Sequence, residues 1–464
     1  MMDLERLVAA VGAVDVVGRA PVEVRDLAYD TRAVVPGTLF FCVPGANADG
    51  HDFAHEAVGS GAVALVVERP LDVPVPQLVV SDVRAAMAPA ADAFFGHPTG
   101  ELDVAGVTGT NGKTTTTFLL YAILAAARRR PGLIGTIEAR VGGERRGVRR
   151  TTPEAIDLQR LFREMLDAGD RSVAMEASSH ASALHRLDHV RFAVLVFTNL
   201  SHEHLDFHAD MEDYFEAKRR LFHEGNPPAA VNIGDEYGRR LAAELPDALT
   251  FGFADDAQVR PDALAGVELK LRGRFNVENA LGALAAARLL GIDDEAIARG
   301  LESIRGVPGR FEAIDEGQPF EVIVDYAHKP VALETLLRTV RELASGKVIC
   351  VFGCGGDRDR EKRPQMGRIA SELADVVIVT NDNPRSEDPQ AIIDAIVAGA
   401  VSAVEVEPDR ARAIAHAIEL AHDGDVVLIA GKGAEQGQEF ADGTVPFDDR
   451  ESARTALRTL GART

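Results

Sequence analysis

Between Glu101 and Arg130 an apolar run, a glycine turn and a helix-forming segment follow one another without a break: "ELDVAGV", "TGTNG", "KTTTTFLLYAILAAARRR". A strand that enters a helix through such a turn belongs to a parallel α/β sheet. It aims backbone N–H groups and a helix N-terminus at one point, which suits phosphate. Glycine permits the positive φ angles and close approach that the turn needs. The end of the turn, Gly112-Lys113-Thr114, is that of a phosphate-binding loop. The usual spacing G-x-x-x-x-G-K-[ST] is broken, because Val107 stands at the first glycine position and the glycines fall at 106, 109 and 112. Lys113 is placed to bridge β and γ phosphates and Thr114 to hold Mg²⁺. A ligand-free Gly/Thr turn is the bland alternative, and the flanking strand and helix weigh against it. Nucleotide binding alone leaves kinase, switch and ligase open.

The pattern around this loop predicts an α/β chain. Strands are expected at "RSVAMEAS", "RFAVLVFTNL" and "PAAVNIG", and helices at "NVENALGALAAARLLG" and "DDEAIARGLESI". The Gly- and Pro-containing segment "RGVPGRFEAIDEGQPFE" marks a boundary near Arg305. Alternation then restarts with strands "FEVIVDYAH", "KVICVFG", "ADVVIVTND" and "DVVLIAG" and helices "PVALETLLRTVRELA", "PQAIIDAIVAGA" and "RARAIAHAIELA", which implies a second parallel sheet. Before Leu102, short β-like runs ("AVALVVE", "PQLVV") alternate with turn signals, and "MMDLERLVAAVGAVDVV" reads as an amphipathic helix rather than a signal peptide. The 464 residues suffice for about three domains. The expected boundaries are 1–100, 101–305 and 306–464.

Charge narrows the partners. Lys plus Arg total 50 against 72 Asp plus Glu, a net charge of −22. Such a surface repels nucleic acid and anionic membranes, but it does not exclude a phosphorylated small molecule in a locally basic pocket. The basic clusters "RRR" at 128–130 and "ERRGVRR" at 144–150 read as a solvated helix end and a hairpin tip. No apolar run reaches the roughly 18 residues needed to span a bilayer. Cys42, Cys350 and Cys354 are too few for a disulfide framework and lack zinc-site spacing, so buried thiols in a reducing cytoplasm are expected.

A second constellation crowds His202, Glu203, His204, Asp206, His208 and Asp210 behind the strand "RFAVLVFTNL". Imidazoles and carboxylates at a strand's C-terminal end suit a divalent cation or phosphoryl transfer. Glu176, at the end of "VAMEASSH", is expected at the same sheet edge. A single histidine there is more simply a surface residue; the set behind a phosphate loop is not. Lys218, beside Arg219 and Arg220, reads from the residues alone as a helix-surface cation. "TTP" at 151–153 reads as the N-cap of the next helix.

Taken together, "GVTGTNGKTTT", "MEASSH", "TNLSHEHLDFH…YFEAK", "VPGRFE", "DYAHKP", "GCGGDRDREKRPQMG", "DNPRSEDP" and "GKGAEQGQ" resemble the Mur ligase family, in its order, from about Tyr29 to about Asp449. The resemblance implies a mixed α/β UDP-binding N-terminal domain, a central P-loop ATPase domain with a mostly parallel sheet, and a C-terminal Rossmann-like domain that brings the amino acid. It implies an ATP-dependent ligase of peptidoglycan precursor synthesis, and so of cell-wall biogenesis, cell shape and division. Its substrates would be ATP, UDP-MurNAc-L-Ala-D-Glu and meso-diaminopimelate, with no nucleic-acid partner, and it would act as a monomer.

Carried over by position, the resemblance assigns ATP to Gly109, Thr110, Asn111, Gly112, Lys113, Thr114 and Thr115, with Asn279, Arg310, Asp325 and His328. It assigns Mg²⁺ to Thr114, Glu176 and His204, and makes Lys218 the lysine that the family carbamylates. With Lys113 these are the expected catalytic groups. The UDP-sugar peptide is assigned to Tyr29, Thr31, Ala46, Asn47 and Ala48, and its muramoyl-peptide part to Thr151, Thr152, Ser178, Leu184 and Arg186. Diaminopimelate is assigned to Arg358, Asp382, Asn383, Pro384, Arg385, Gly431 and Glu435. Arg385 would pair with the distal carboxylate that lysine lacks, and an unpaired Arg would reject lysine.

The chain departs from the family at Ala434 (usually His), Leu184 (usually Gln), Lys329 (usually small and polar), Glu203 (usually Asp) and Thr31 (usually Ser). These bear on substrate affinity rather than reaction type. The competing readings are a sister ligase, such as folylpolyglutamate synthase or the lysine-adding homologue, and a nucleotide-binding regulator without catalysis. "YDTRAVVPGTLFFCVPGANADGHDF" weighs against the folate enzyme, Arg385 against lysine, and intact Lys113, Glu176, His204 and Lys218 against the regulator.

Overall fold

A computed structural model describes residues 1–18, 21–45, 48–205 and 207–461. Ala46, Asn47 and Asp206 lie outside the described residues. The chain divides into two compact units, Met1–Glu268 with Glu278–Ser303, and Leu269–Val277 with Ile304–Thr464.

The first unit holds two large sheets and a two-stranded one that pairs Met2–Asp3 with Glu23–Val24. A five-stranded sheet runs Asp15–Val17, Gln77–Val79, Ala62–Val67, Thr38–Phe41, Asp26–Ala28, parallel except for its first strand. The N-terminal helix is shorter than its sequence suggested. It spans Leu4–Val11 and stops where Gly12 turns left-handed, φ 65°, and the apolar residues beyond it form the edge strand Asp15–Val17. The second sheet has eight strands. Six are parallel, in the order Pro131–Ile134, Ser172–Glu176, Asp103–Thr108, Phe192–Phe197, Ala229–Asn232, Leu249–Phe251. A hairpin of Ala139–Val141 and Glu144–Arg146 closes one edge. The arginine-rich segment read as a hairpin tip thus begins in this edge strand.

Register explains the site. Glu176 pairs with Val107, and Phe197 with Thr108. The carboxyl ends of three adjacent strands therefore coincide, and the glycine loop and the "EASSH" and "TNLSH" segments leave from one edge. Ligands gather at this edge in open α/β sheets. Helix Lys113–Ala126 packs against helix Asp294–Ser303, where Gly300 brings the backbone close to Ile123.

The second unit is a six-stranded sheet in the order Glu312–Ala313, Glu321–Asp325, Val426–Ala430, Val348–Phe352, Val376–Val379, Glu405–Val406, parallel apart from the first strand. "VICVF" and "VVLIA" are buried along their whole length, as expected of parallel strands covered on both faces. Alternation divides them between the two faces. Cys350 and Leu428 pack with Leu333, Leu336 and Met366, whereas Ile349, Val351 and Ile429 pack with Ile414 and Ile418. Asp325 pairs with Ala430, and Phe352 pairs with both Ala430 and Val379. The "DYAHKP", "GCGGDRD", "NDNPR" and "GKGAE" loops thus leave from one edge. Helix Lys362–Leu373 was not foreseen, because Pro364 argues against a helix; the proline sits in its first turn, where no N–H is needed. All three cysteines are buried and free.

Candidate active site

In the first unit, Gly109 (φ 143°) and Gly112 (φ 84°) shape the phosphate loop. A Cβ at Gly109 would overlap Thr198 Oγ1, and one at Gly112 would overlap Asn279 Oδ1. Asn279, expected to serve ATP, is thereby fixed against the loop, and Thr116 Oγ1 donates to its Oδ1 at 3.4 Å. Asn111 N donates to Asn199 Oδ1 at 2.9 Å and Thr110 N to Asn199 O at 2.8 Å, so the strand end after Phe197 splints the loop. Lys113 Nζ lies over the loop and donates to Gly109 O at 2.9 Å and Thr110 O at 2.8 Å.

Glu176 is buried, and hydroxyls surround its carboxylate. Thr114 Oγ1 donates to Oε2 at 3.1 Å, Thr136 Oγ1 to Oε2 at 3.1 Å and Thr136 N to Oε1 at 2.7 Å. Thr136 escaped the sequence reading; its only signal was its place just after the strand Pro131–Ile134. Thr151 Oγ1 lies 3.0 Å from Thr136 Oγ1. Thr152 Oγ1 donates to Glu176 O at 2.8 Å and lies 3.2 Å from Ser178 Oγ. Arg186 Nη1 donates to Thr152 O at 3.2 Å, and its Nη2 pairs with Glu154 at 2.9 Å. Glu176 therefore links Thr114 of the phosphate loop to the residues expected to hold the muramoyl peptide. "TTP" is not the N-cap expected of it. Helix Ala155–Asp167 is preceded by Glu154 without a side-chain cap, because both threonine hydroxyls are turned to this network.

Lys218 is not the surface cation that its neighbours suggested. Helix Met211–His223, capped by Asp210, turns Lys218 inward, and only 1% of it is exposed. Nζ donates to Gly109 O at 3.0 Å and lies 4.6 Å from the Tyr214 ring centroid. Desolvation pulls its pKa well below the ordinary lysine value, and the charge of Lys113 adds to that pull against Glu203. Tyr214 OH sits 3.1 Å from Thr110 Oγ1.

Of the described residues in the His and acid crowd, His204 and His208 both pack on Tyr214, at 5.7 and 5.1 Å between ring centroids, and on His180. His208 Nδ1 meets Asp213 at 3.2 Å, Asp210 caps a helix, and His202 is exposed. His204, at φ 58°, lies 3.4 Å from Glu203 and stacks edge-on to His180 at 4.7 Å. Among the described residues no three His, Cys, Asp or Glu side chains are grouped to hold a metal ion. Sequence spacing could not show this, because the segment curls as a loop.

Also in the first unit, a cavity of about 720 Å³ is lined by Tyr29, Arg32, Arg149, Arg150, Glu154 and Asp157 among others. Tyr29 OH donates to Asp157 at 2.5 Å. The structure thus brings Tyr29 to the segment that follows Thr151 and Thr152. Thr31 opens the short turn Thr31–Ala33, Ala48 O accepts from Gly45 N at 2.9 Å, and Leu184 ends the helix Ser179–Ala183.

In the second unit, Arg310 lies 4.6 Å over the Tyr326 ring. Desolvation raises the Asp325 carboxyl, against the pull of Arg310 and two backbone N–H groups. His328 Nδ1 lies 2.9 Å from Tyr326 O. Gly309 of "VPGRFE" packs so closely on the Ala434 backbone that it has no room for a side chain.

Three of the four loops at the sheet edge meet around Asn383, whose backbone O accepts from Gly356 N at 2.8 Å. Its Nδ2 donates to Glu435 Oε2 at 3.0 Å, and its Oδ1 accepts from Lys432 Nζ at 2.8 Å. Lys432, fully buried and missed in the sequence, also reaches Glu435 at 2.9 Å. Gly431 (φ 122°) lies against Asp382. Arg385, itself left-handed at φ 54°, donates from Nη1 to Gly356 O at 2.8 Å. Glu387 accepts from Asp357 N at 2.6 Å and from Arg363 at 2.9 Å, which pins "DNPRSED", with Pro384, to "GGDRD"; Arg363 holds the Glu387 carboxyl down to about 2. Arg358 is exposed on the same loop. Beneath them Arg410 and Asp449 form a fully buried pair at 2.7 Å.

Known proteins resemble this chain over nearly its whole length. Residues 23–107 match a Mur ligase family catalytic domain, 107–287 a Mur ligase middle domain, and 309–433 a Mur ligase glutamate ligase domain. A UDP-N-acetylmuramoyl-L-alanyl-D-glutamate–2,6-diaminopimelate ligase of Solibacter usitatus is 46% identical, with 95% of each chain covered. One of Streptomyces coelicolor is also 46% identical, over 94% of this chain and 93% of the relative. A solved structure of a ligase of that name superposes with a TM-score of 0.68 at 31% identity, covering 97% of this chain and 98% of the other. With three models of one family in order along the sequence and such relatives over nearly its whole length, the chain belongs to the Mur ligase family.

Proposed function

We propose that the chain is an ATP-dependent ligase that joins meso-2,6-diaminopimelate to the γ-carboxylate of D-Glu in UDP-MurNAc-L-Ala-D-Glu. The reading supports a cytoplasmic monomer that makes a peptidoglycan precursor, with segments 1–100, 101–305 and 306–464 serving the UDP-sugar peptide, ATP and the amino acid. The observation that carries it is the phosphate loop with Glu176 at 3.1 Å from Thr114 and the buried Lys218 at 3.0 Å from Gly109 O. A carboxylate is a poor electrophile because its leaving group would be oxide. Phosphorylation by ATP gives an acyl phosphate, the amine of diaminopimelate adds to its carbonyl carbon, and phosphate leaves. Such a site works by positioning and charge neutralisation.

Lys113 and the loop N–H groups bind the phosphates, and Asn279, Arg310, Asp325 and His328 serve the rest of the nucleotide. Thr114 and Glu176, 3.1 Å apart, would hold a magnesium ion, with His204 added by the family resemblance; such an ion typically takes one or two protein carboxylates and completes its shell with water and phosphate. Bound there, the ion would neutralise the phosphate oxygens. The burial of Lys218 favours the neutral amine that carbamylation by CO2 requires, and the product would be an anionic donor beside the loop. Thr151, Thr152, Ser178 and Arg186 orient the peptide carboxylate, and the cavity lined by Tyr29 receives the nucleotide-sugar end. Arg385 takes the distal carboxylate of diaminopimelate and Glu435 its ammonium, with Asn383 between them. Phosphate release with ATP, Mg²⁺ and UDP-MurNAc-L-Ala-D-Glu is expected with meso-diaminopimelate and not with L-lysine. Release with lysine alone would sink the specificity, and silence with both would sink the reaction.

A further inference from the structure

The case for diaminopimelate over lysine rests on an arginine left unpaired when lysine binds. In the structure Arg385 already has a carboxylate. Its Nε donates to Glu439 Oε2 at 2.7 Å, and its backbone N–H donates to Glu439 O at 3.0 Å. Glu439 lies in the strand Gly437–Phe440, which pairs in register with Gly443–Pro446. Its own N–H donates to Asn383 Oδ1 at 3.0 Å. The glutamate is therefore held by its backbone on both sides of the Asn383–Arg385 turn, and its side chain is 49% exposed against 25% for Arg385. Nη1 is turned to Gly356 O at 2.8 Å, and no hydrogen bond of Nη2 is found among the described residues. An incoming carboxylate thus meets the Nη end of a guanidinium whose Nε edge is taken by an anion.

We propose that Glu439 is a specificity-determining residue of the amino-acid site, a resident carboxylate that satisfies Arg385 before the substrate arrives. It weakens the pull of Arg385 on the distal carboxylate of diaminopimelate, because two carboxylates then share one cation. It also lowers the penalty for lysine, because the guanidinium keeps a partner when no distal carboxylate is present. The inference rests on the placement of diaminopimelate at Arg385 given above.

The test compares wild type, Glu439→Gln, Glu439→Asp and Arg385→Ala in phosphate release, with meso-diaminopimelate as substrate and L-lysine as competitor. The readout is the ratio of the diaminopimelate KM to the lysine inhibition constant. In Glu439→Gln the diaminopimelate KM is expected to fall about two- to fivefold, the size of a partly exposed ion pair, and the lysine constant to rise. The ratio falls, while kcat and the KM for ATP stay put, and added salt shrinks the effect. Glu439→Asp is expected to stay near wild type. An unchanged or increased ratio in Glu439→Gln would overturn the proposal and leave the glutamate a bystander or a mere prop for the fork. Unchanged diaminopimelate kinetics in Arg385→Ala would instead remove the site assignment itself, so the two failures are distinguishable.

Discussion

Replacing Asp449 by Asn tests how the second unit holds the loops at its sheet edge. Arg410 and Asp449 are both 0% exposed and bidentate, Nε to Oδ1 at 2.7 Å and Nη2 to Oδ2 at 2.8 Å. Two further guanidinium hydrogens reach Asn381 O at 3.2 Å and Ala430 O at 3.0 Å, the carbonyls just before Asp382 and Gly431. Burial works against the arginine's charge, yet Asp449 outweighs it and keeps the Arg410 pKa above the ordinary value. The Asp449→Asn change keeps the side-chain shape and removes the anion. Breaking a buried pair in this way costs about 3–5 kcal/mol. The double variant Arg410→Met, Asp449→Leu removes both charges and is expected within about 2 kcal/mol of wild type. It also releases the Asn381 and Ala430 carbonyls, so its KM for diaminopimelate should rise while its KM for ATP holds. The assay is denaturant unfolding, with hydrogen exchange over 405–430 to identify the transition of the second unit, since two units need not unfold in one step. A loss below about 1 kcal/mol in Asp449→Asn would mean that water screens the pair like a surface salt bridge, and the argument from burial would be wrong.

Lys218→Ala should abolish substrate-dependent phosphate release, with partial return on adding a short carboxylate such as acetate; full activity without rescue would end the assigned role. Because the Lys218 pKa is lowered in the folded state, the unfolded chain binds more protons between that value and about 10.4. Stability should therefore rise with pH through this window, and Lys218→Met should lose that part of the slope in unfolding measured at pH 7 and 9. Gly109→Ala combines φ 143° with a clash on Thr198, which should cost about 1–3 kcal/mol of strain and weaken nucleotide binding in calorimetry; wild-type affinity would refute the loop geometry. Arg385→Ala should lose diaminopimelate use yet still bind the UDP-sugar peptide in a direct titration.

The sequence by itself determined the two parallel sheets, the loops at their carboxyl edges and the Gly109–Thr115 turn. These are local matters: apolar runs bounded by glycine, helical periodicity, and residues that tolerate positive φ. It also carried Glu176 to the right edge, because parallel strands end together. Only the tertiary structure decided which charges are buried and whom they face. Lys218 goes inside while Arg219 and Arg220 beside it stay accessible, because one helix face meets the phosphate loop 109 positions earlier. Thr136 gains its role from a carboxylate 40 positions away, Arg410 from Asp449 39 positions on, and Arg385 from Glu439 54 positions on. Within the run from His202 to Asp210, His204 and His208 gather on Tyr214 and His180, whereas His202 is exposed and Asp210 caps a helix, a division that spacing does not show. Desolvation and ion pairing depend on distance in space, and a linear pattern does not encode that distance once the chain turns back on itself.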